Sequence, residues 1–303
     1  MTSKASPQDE FALACELFDQ PTPEAFKAAV ALTESAAKAG FAEAICQLAT
    51  LDAVGAGRPR DFANAFSMLR KASESGSEQA TAQLSLLGNQ PSPDLSRLLS
   101  VPEPVALSES PRIRHIPGFA PAAVCDWIMK RIRSKLAPAL IWDRESDGGT
   151  IDPVRSNSAA ELRLTDMDVV LAVLRARMSI ASRLPESIFE TPQAMHYSIG
   201  QQFRLHHDYL DPEIPAQAID LKRRGQRIGT FLLYLNDDYE GGETEFPEAG
   251  ITFRGKKGDA LFFANVGRSG EPDRRSAHAG RPPTAGEKWI LSQWIRDRPP
   301  GMT

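Results

Sequence analysis

An internal repeat in the first third limits how this 303-residue chain can fold more than any other feature does. An offset of 36 residues pairs Phe26 with Phe62, Ala29 with Ala65, Ala36 with Ala72 and Gly40 with Gly76. The same offset pairs Ala44 with Ala80, Gln47 with Gln83, Leu48 with Leu84 and Leu51 with Leu87. A period of this length is that of stacked helical hairpins, each unable to bury its apolar face alone. Small residues at helical spacing let paired helices approach closely, and Gly40 and Gly76 fall where helices would end. With a leading helix near Asp9 to Asp19, the pattern predicts an all-α helical-repeat domain over residues 1–90.

Pro91, Pro93, Pro102, Pro104 and Pro111 then break the helical pattern, so residues 91–110 read as a linker to a second domain over 111–303. There, amphipathic helices are expected over Pro121 to Leu136 and over Asp166 to Leu184, the latter capped by Thr165 or Asp166. Leu140 to Leu162, polar and containing Asp147-Gly148-Gly149, reads as a mobile loop. From Gln193 onward come short strand-like runs: Ala194 to Ser198, Gly200 to His206, Arg227 to Leu235, Glu243 to Phe246, Ile251 to Arg254, Asp259 to Asn265 and Lys288 to Arg296. Phe231 to Leu235 is apolar on both faces, which fits an interior strand. The expected fold class is α+β: a double-stranded β-helix, or jelly roll, buttressed by helices and preceded by the all-α repeats.

Apolar residues at 42% and charged residues at 24% suit a soluble globular protein, and a net charge of −4 offers no nucleic-acid footprint. No apolar run approaches membrane-spanning length, and the N-terminus lacks the continuous apolar region of a signal peptide. Cys15, Cys46 and Cys125 are an odd, scattered set, as reduced thiols in a cytoplasm would be.

The chemistry gathers around Tyr197 to Asp208. On an extended strand His206 and Asp208 point to one side and His207 to the other. His278, from a distant strand, would complete a two-histidine, one-carboxylate triad of the kind that holds non-haem Fe(II) and leaves positions open. His207 is then left a structural place, and His115 and His196 lack a partner at ligand spacing.

Further motifs occur in one order: Tyr197-x-x-Gly200-Gln201-x-Phe203-x-x-His206-x-Asp208, Gln226-Arg227-Ile228-x-Thr230-Phe231-Leu232-x-Tyr234-Leu235, and Gly241-Gly242-Glu243-Thr244-x-Phe246-Pro247. They continue through Lys257-Gly258-x-Ala260-Leu261-Phe262-Phe263, His278-Ala279-Gly280 and Lys288-Trp289. By these motifs, residues from about Pro111 to Arg298 resemble the prolyl 4-hydroxylase branch of the Fe(II)- and 2-oxoglutarate-dependent dioxygenases. The first third resembles Sel1-like repeats, relatives of the tetratricopeptide repeat, through Ala36-Ala37-Lys38-Ala39-Gly40 and its echo Lys71-Ala72-Ser73-Glu74-Ser75-Gly76.

The resemblance implies Fe(II) held by His206, Asp208 and His278, 2-oxoglutarate and O2 as cosubstrates, and ascorbate as a reductant. Lys288 would pair the far carboxylate of 2-oxoglutarate, Tyr197 and Thr244 would hydrogen-bond the same molecule, and Trp294 would wall the site. Arg227, Phe203, Arg155 and Arg296 would face substrate, although Arg227 equally suits an interstrand ion pair and Phe203 a core aromatic. Arg296 stands where several animal and algal members carry a histidine, which leaves the peptide contacts open. The loop from Asp147 to Ser158 would close over substrate. The implied reaction hydroxylates a C–H bond of a prolyl residue in a protein or peptide and releases succinate and CO2. The alternatives are a hydroxylase of a free amino acid or small metabolite, and a non-catalytic iron-binding sensor. The repeats either hold the protein substrate or only cap the fold, and the oligomeric state is left open.

Overall fold

Alanines that match across the offset are the contact points of the helical region. Ala29, Ala36, Ala44, Ala65, Ala72 and Ala80 are all fully buried. The computed structural model describes residues 5–90, 93–139 and 154–299. The first third contains α1 (Pro7–Phe18), α2 (Pro23–Lys38), α3 (Ala42–Val54), α4 (Phe62–Glu74), α5 (Glu78–Leu87) and the short α6 (Leu95–Leu99). Ser6, Thr22, Asp61 and Ser77 cap the starts of α1, α2, α4 and α5 with side-chain oxygens, as polar N-cap residues do. α2 and α4 end in the same way. Phe41 N donates to Ala36 O and Gly40 N to Ala37 O; one period later Ser77 N donates to Ala72 O and Gly76 N to Ser73 O. This paired-bond ending needs a left-handed residue, and Gly40 and Gly76, with φ of +88° and +99°, supply it.

The chain divides into two units, Met1–Ser100 with Leu162–Arg177, and Val101–Glu161 with Met178–Thr303. The returning segment carries most of α8 (Val169–Ser182) into the helical unit, where Val169 N donates to the buried Gln83 Oε1 at 2.9 Å. Asp168 caps α8, its Oδ1 accepting from Leu171 N at 2.7 Å. The expected caps, Thr165 and Asp166, instead lie in a preceding single turn of 3-10 helix, Leu164–Asp166. No helix among the described residues is long and apolar enough to cross a membrane.

The second unit is built on strands β1 (Val105–Glu109), β2 (Arg112–Ile116), β3 (Ala137–Pro138), β4 (Ser158–Glu161), β5 (Gln193–Tyr197), β6 (Phe203–His206) and β7 (Arg227–Tyr234). They continue as β8 (Glu240–Gly241), β9 (Thr244–Phe246), β10 (Ile251–Phe253), β11 (Ala260–Ala264), β12 (His278–Gly280), β13 (Pro283–Ala285) and β14 (Lys288–Arg296). One sheet has eight strands in the order β1-β2-β11-β7-β14-β5-β4-β3, a second has four in the order β10-β9-β12-β6, and β13 pairs with β8. The two larger sheets share a core. Phe246 of the small sheet meets Phe263 of the large one edge-on at 5.0 Å, within a cluster that includes Met195, Tyr197, Leu232, Tyr234 and Ile290.

β7 lies between β11 and β14, and both its faces are buried, as expected of an interior strand. Phe231 and Leu233 turn outward, where Phe119 packs on Phe231, ring centres 4.9 Å apart and planes tilted by 54°, ahead of α7 (Ala122–Ile132). Thr230, Leu232 and Tyr234 turn inward. The fold is the jelly roll expected, with several differences in detail. β1 and α6 arise within the proline-broken segment, and β4 within the expected loop, the rest of which over 140–153 lies outside the described residues. α9 (Pro215–Arg224) had no counterpart in the sequence reading.

Candidate active site

Strand register brings the two imidazoles together. β12 runs antiparallel to β6 with His278 opposite His206, and the ring centres are 4.3 Å apart. Asp208 is not on the strand, since β6 ends at His206 and the carboxylate comes from the loop just beyond. It nevertheless faces both rings, with Oδ1 3.6 Å from His206 Nε2 and Oδ2 3.6 Å from His278 Nε2. One ligand atom from each residue lies within 4.8 Å of the other two, and this is the one such three-residue group among the described residues. His207 turns away to Arg274 O at 3.0 Å.

The tautomers follow from the partners. His206 Nδ1 is 2.8 Å from Arg204 O and His278 Nδ1 is 3.0 Å from Ser276 O. A carbonyl only accepts, so each Nδ1 carries the proton and each Nε2 presents its lone pair to the centre of the group. Burial, helped by His206, pushes His278 down to about 4, which keeps it neutral. Burial opposes ionisation of Asp208, while the Thr230 hydroxyl, donating to Oδ2, favours the carboxylate. Two neutral imidazoles and one carboxylate suit Fe(II).

A cleft beside the triad is lined by Tyr197, Phe203, Thr244, Lys288, Ser292 and Trp294. Lys288 enters it from β14, fully buried, and its Nζ has no hydrogen-bond partner among the described residues. The ammonium lies 5.3 Å from the ring centre of Tyr197 and 5.7 Å from that of Tyr234. Burial lowers it to about 7, against a small opposing pull from Glu243. Gly242 makes room for this side chain, since a Cβ there would lie 3.2 Å from Lys288 Cδ. Tyr234 Oη and Thr244 Oγ1 share a hydrogen bond of 2.7 Å, and Tyr197 Oη donates to Met195 Sδ at 3.5 Å. Alternation along β14 sends Lys288, Ile290, Ser292 and Trp294 to this one face. Ser292 Oγ and Trp294 Nε1 also lack partners among the described residues.

The four residues expected to face substrate separate. Phe203 lines the cleft and stacks on His206, ring centres 3.5 Å apart at 12°. Arg155 lies over the Phe203 ring at 5.0 Å and donates to Gln193 Oε1. Arg227 lies 4.2 Å over Trp294 and makes a two-bond pair with Glu190, at 2.6 and 3.0 Å, so the ion-pair alternative is present in the structure. Arg296 lies beyond the cleft. It is fully buried, with Nη1 on Gly225 O at 2.6 Å and Nη2 on Asp220 Oδ2 at 2.7 Å. Its Nε comes within 2.5 Å of Glu190 Oε1 without the N–H aimed along that line, an ion pair more than a hydrogen bond. Thr230, Asn265, Tyr234 and Ser292 also border the site or its ligands, and no role for them is evident in the sequence alone. Parity along β7 and β14 was the available signal, since Thr230 shares a face with Leu232 and Tyr234, and Ser292 with Lys288.

Comparison with known proteins places similarity over this region. A family model described as the 2OG-Fe(II) oxygenase superfamily matches residues 192–296, a span containing the triad and Lys288. Prolyl 4-hydroxylase 1 of Arabidopsis thaliana is 32% identical over 224 residues, which cover 69% of this chain and 77% of that protein. Prolyl 4-hydroxylase 13 of the same plant is 31% identical over 209 residues, 63% of this chain and 73% of its own length. Among solved structures, the viral collagen prolyl hydroxylase of Paramecium Bursaria Chlorella virus-1, as its 2OG complex, has 26% identity. It covers 60% of this chain and 94% of that one, with a TM-score of 0.46.

Proposed function

Because the chain belongs to the prolyl 4-hydroxylase family of 2OG-Fe(II) oxygenases, we propose that this dioxygenase hydroxylates a prolyl residue in a protein or peptide. His206 and His278 would hold the iron through Nε2, and Asp208 through its carboxylate. Iron bound there, with 2-oxoglutarate and O2, supplies an oxidant that replaces a C–H hydrogen by hydroxyl and leaves succinate and CO2.

The chain's own part is to bind, orient and exclude water. The observation that carries this reading is Lys288 Nζ, buried in the same cleft as the triad and without a hydrogen-bond partner among the described residues. A buried cation without a counter-ion is costly, and a dicarboxylate that reaches it restores the missing pair. Tyr197 and Thr244 are polar neighbours for that carboxylate. Trp294 and Phe203 wall the cleft, Phe203 also fixing the plane of His206. Arg155 and Arg227, laid over these two rings, flank the side where a peptide would enter. The repeat unit would offer the rest of the polypeptide a binding surface. Of the expected lid from Asp147 to Ser158, residues 147–153 lie outside the described residues. Three free cysteines fit a cytoplasmic setting.

Anaerobic Fe(II) with 2-oxoglutarate should give a weak metal-to-ligand absorption band that His206→Ala abolishes; an unchanged band in the variant would remove His206 from the site. Succinate release stimulated by a proline-containing peptide, and a 16-Da gain on that proline by mass spectrometry, tests the substrate. Stimulation by a free amino acid alone would overturn the peptide assignment.

A further inference from the structure

Asp208 is the ligand candidate with the least help from its own strand, and the structure supplies that help from the opposite sheet. Thr230 of β7 donates its hydroxyl proton to Asp208 Oδ2 at 2.7 Å. Asn265, just past the end of β11, donates Nδ2–H to Thr230 Oγ1 at 3.0 Å. Thr230 and Asn265 are fully buried and Asp208 is nearly so. The direction of the chain is fixed by chemistry. With the amide turned over, Asn265 Oδ1 would claim the only hydroxyl proton, leaving Thr230 Oγ1 and the carboxylate oxygen 2.7 Å apart with no hydrogen between them. Asn265 is itself held at both backbone groups, its N–H on Ile228 O at 2.9 Å and its carbonyl accepting from Asp273 N at 3.0 Å.

We propose that Thr230 is a positioning residue for Asp208, and Asn265 for Thr230, a two-link chain that determines which carboxylate oxygen serves the metal. This rests on the reading of Asp208 as an iron ligand. The Thr230 bond draws electron density from Oδ2 and ties it toward the large sheet, so Oδ1, the oxygen turned to His206, is the stronger donor. Ligation by one oxygen keeps three of six positions free, the number a two-point 2-oxo acid and O2 require. A carboxylate released to chelate through both oxygens would take a fourth.

The test is Co(II) binding to the full chain, followed by calorimetry and by the visible absorption of the bound ion. Thr230→Val keeps the shape and removes the hydroxyl. It should weaken Co(II) binding by about 10–100-fold and alter the absorption pattern, as loss of a partner to a metal ligand does elsewhere. Thr230→Ser should restore both, and Asn265→Ser should fall between. Thr230→Val binding Co(II) with the wild-type affinity and spectrum overturns the proposal while leaving the iron site intact. Failure of the wild type itself to bind Co(II) overturns the iron reading and this inference with it. If Thr230→Val does not fold, Asn265→Ser decides, and wild-type affinity in that variant overturns the chain.

Discussion

At the scale of single residues, Lys288 is the costliest group in the cleft. Its value of about 7 lies below the ordinary 10.5, chiefly through burial, so between these the folded protein binds fewer protons than the unfolded chain. Stability of the ligand-free protein therefore rises with pH across that window, the penalty being complete below about 7 and gone above 10.5. Lys288→Met should stabilise the ligand-free protein by about 1–4 kcal/mol near neutral pH, as apolar replacement of buried charge often does. In thermal melts that gain should shrink as pH rises toward 10.5, and the same variant should lose 2-oxoglutarate binding while retaining Co(II). Equal loss of both would mean misfolding. His206, Asp208, His278 and Lys288 were legible in the sequence because they sit in an ordered set of motifs. Arg296 was placed wrongly in the cleft, since parity puts it on the right face but says nothing of the carboxylates Glu190 and Asp220 that capture it two residues beyond Trp294.

At the scale of elements, α9 buries none of its own residues, and polar contacts anchor it. Arg296 reaches Asp220 and Gly225 O from β14, and Arg298 donates to the carbonyls of Leu221 and Lys222. Glu190 stands between Arg296 and Arg227. Glu190→Gln leaves the buried Arg296 and the half-buried Arg227 facing a neutral amide and should cost about 3–5 kcal/mol in denaturant unfolding. Amide exchange should quicken first in α9, with β7 and β14 still protected; uniform quickening would deny α9 its separate anchorage. A helix held by long polar side chains has no apolar stripe for a sequence to display, which is why α9 was not foreseen. β14 was, to the residue, because both its faces are buried and glycine and proline bound it. Asp208 shows the limit of period-2 reasoning: the side expected of it was right, yet β6 stops two residues earlier and Thr230 does the orienting.

At the scale of the whole molecule, the α+β class and the order of repeats before jelly roll were readable, because a 36-residue period and a run of short strands are patterns along the chain. That Leu162–Arg177 groups with the helical unit was not, since an amphipathic helix announces an apolar face without naming what covers it. Ala72→Leu, at a fully buried helix contact, should destabilise the helical unit by about 1–3 kcal/mol through overpacking. Co(II) affinity should be unchanged in that variant; a fall would show that the two units depend on each other for folding. The histidine latches carry a consequence for how the protein is handled. Each ring is held by the carbonyl two residues before it, so the Nε2 pair is ready before any ion arrives. Such a readiness does not discriminate: copper and zinc bind nitrogen and oxygen donors more tightly than ferrous iron. The ion found in a preparation will therefore reflect the culture medium and the affinity resin, and an inactive sample is first a question of which metal it picked up.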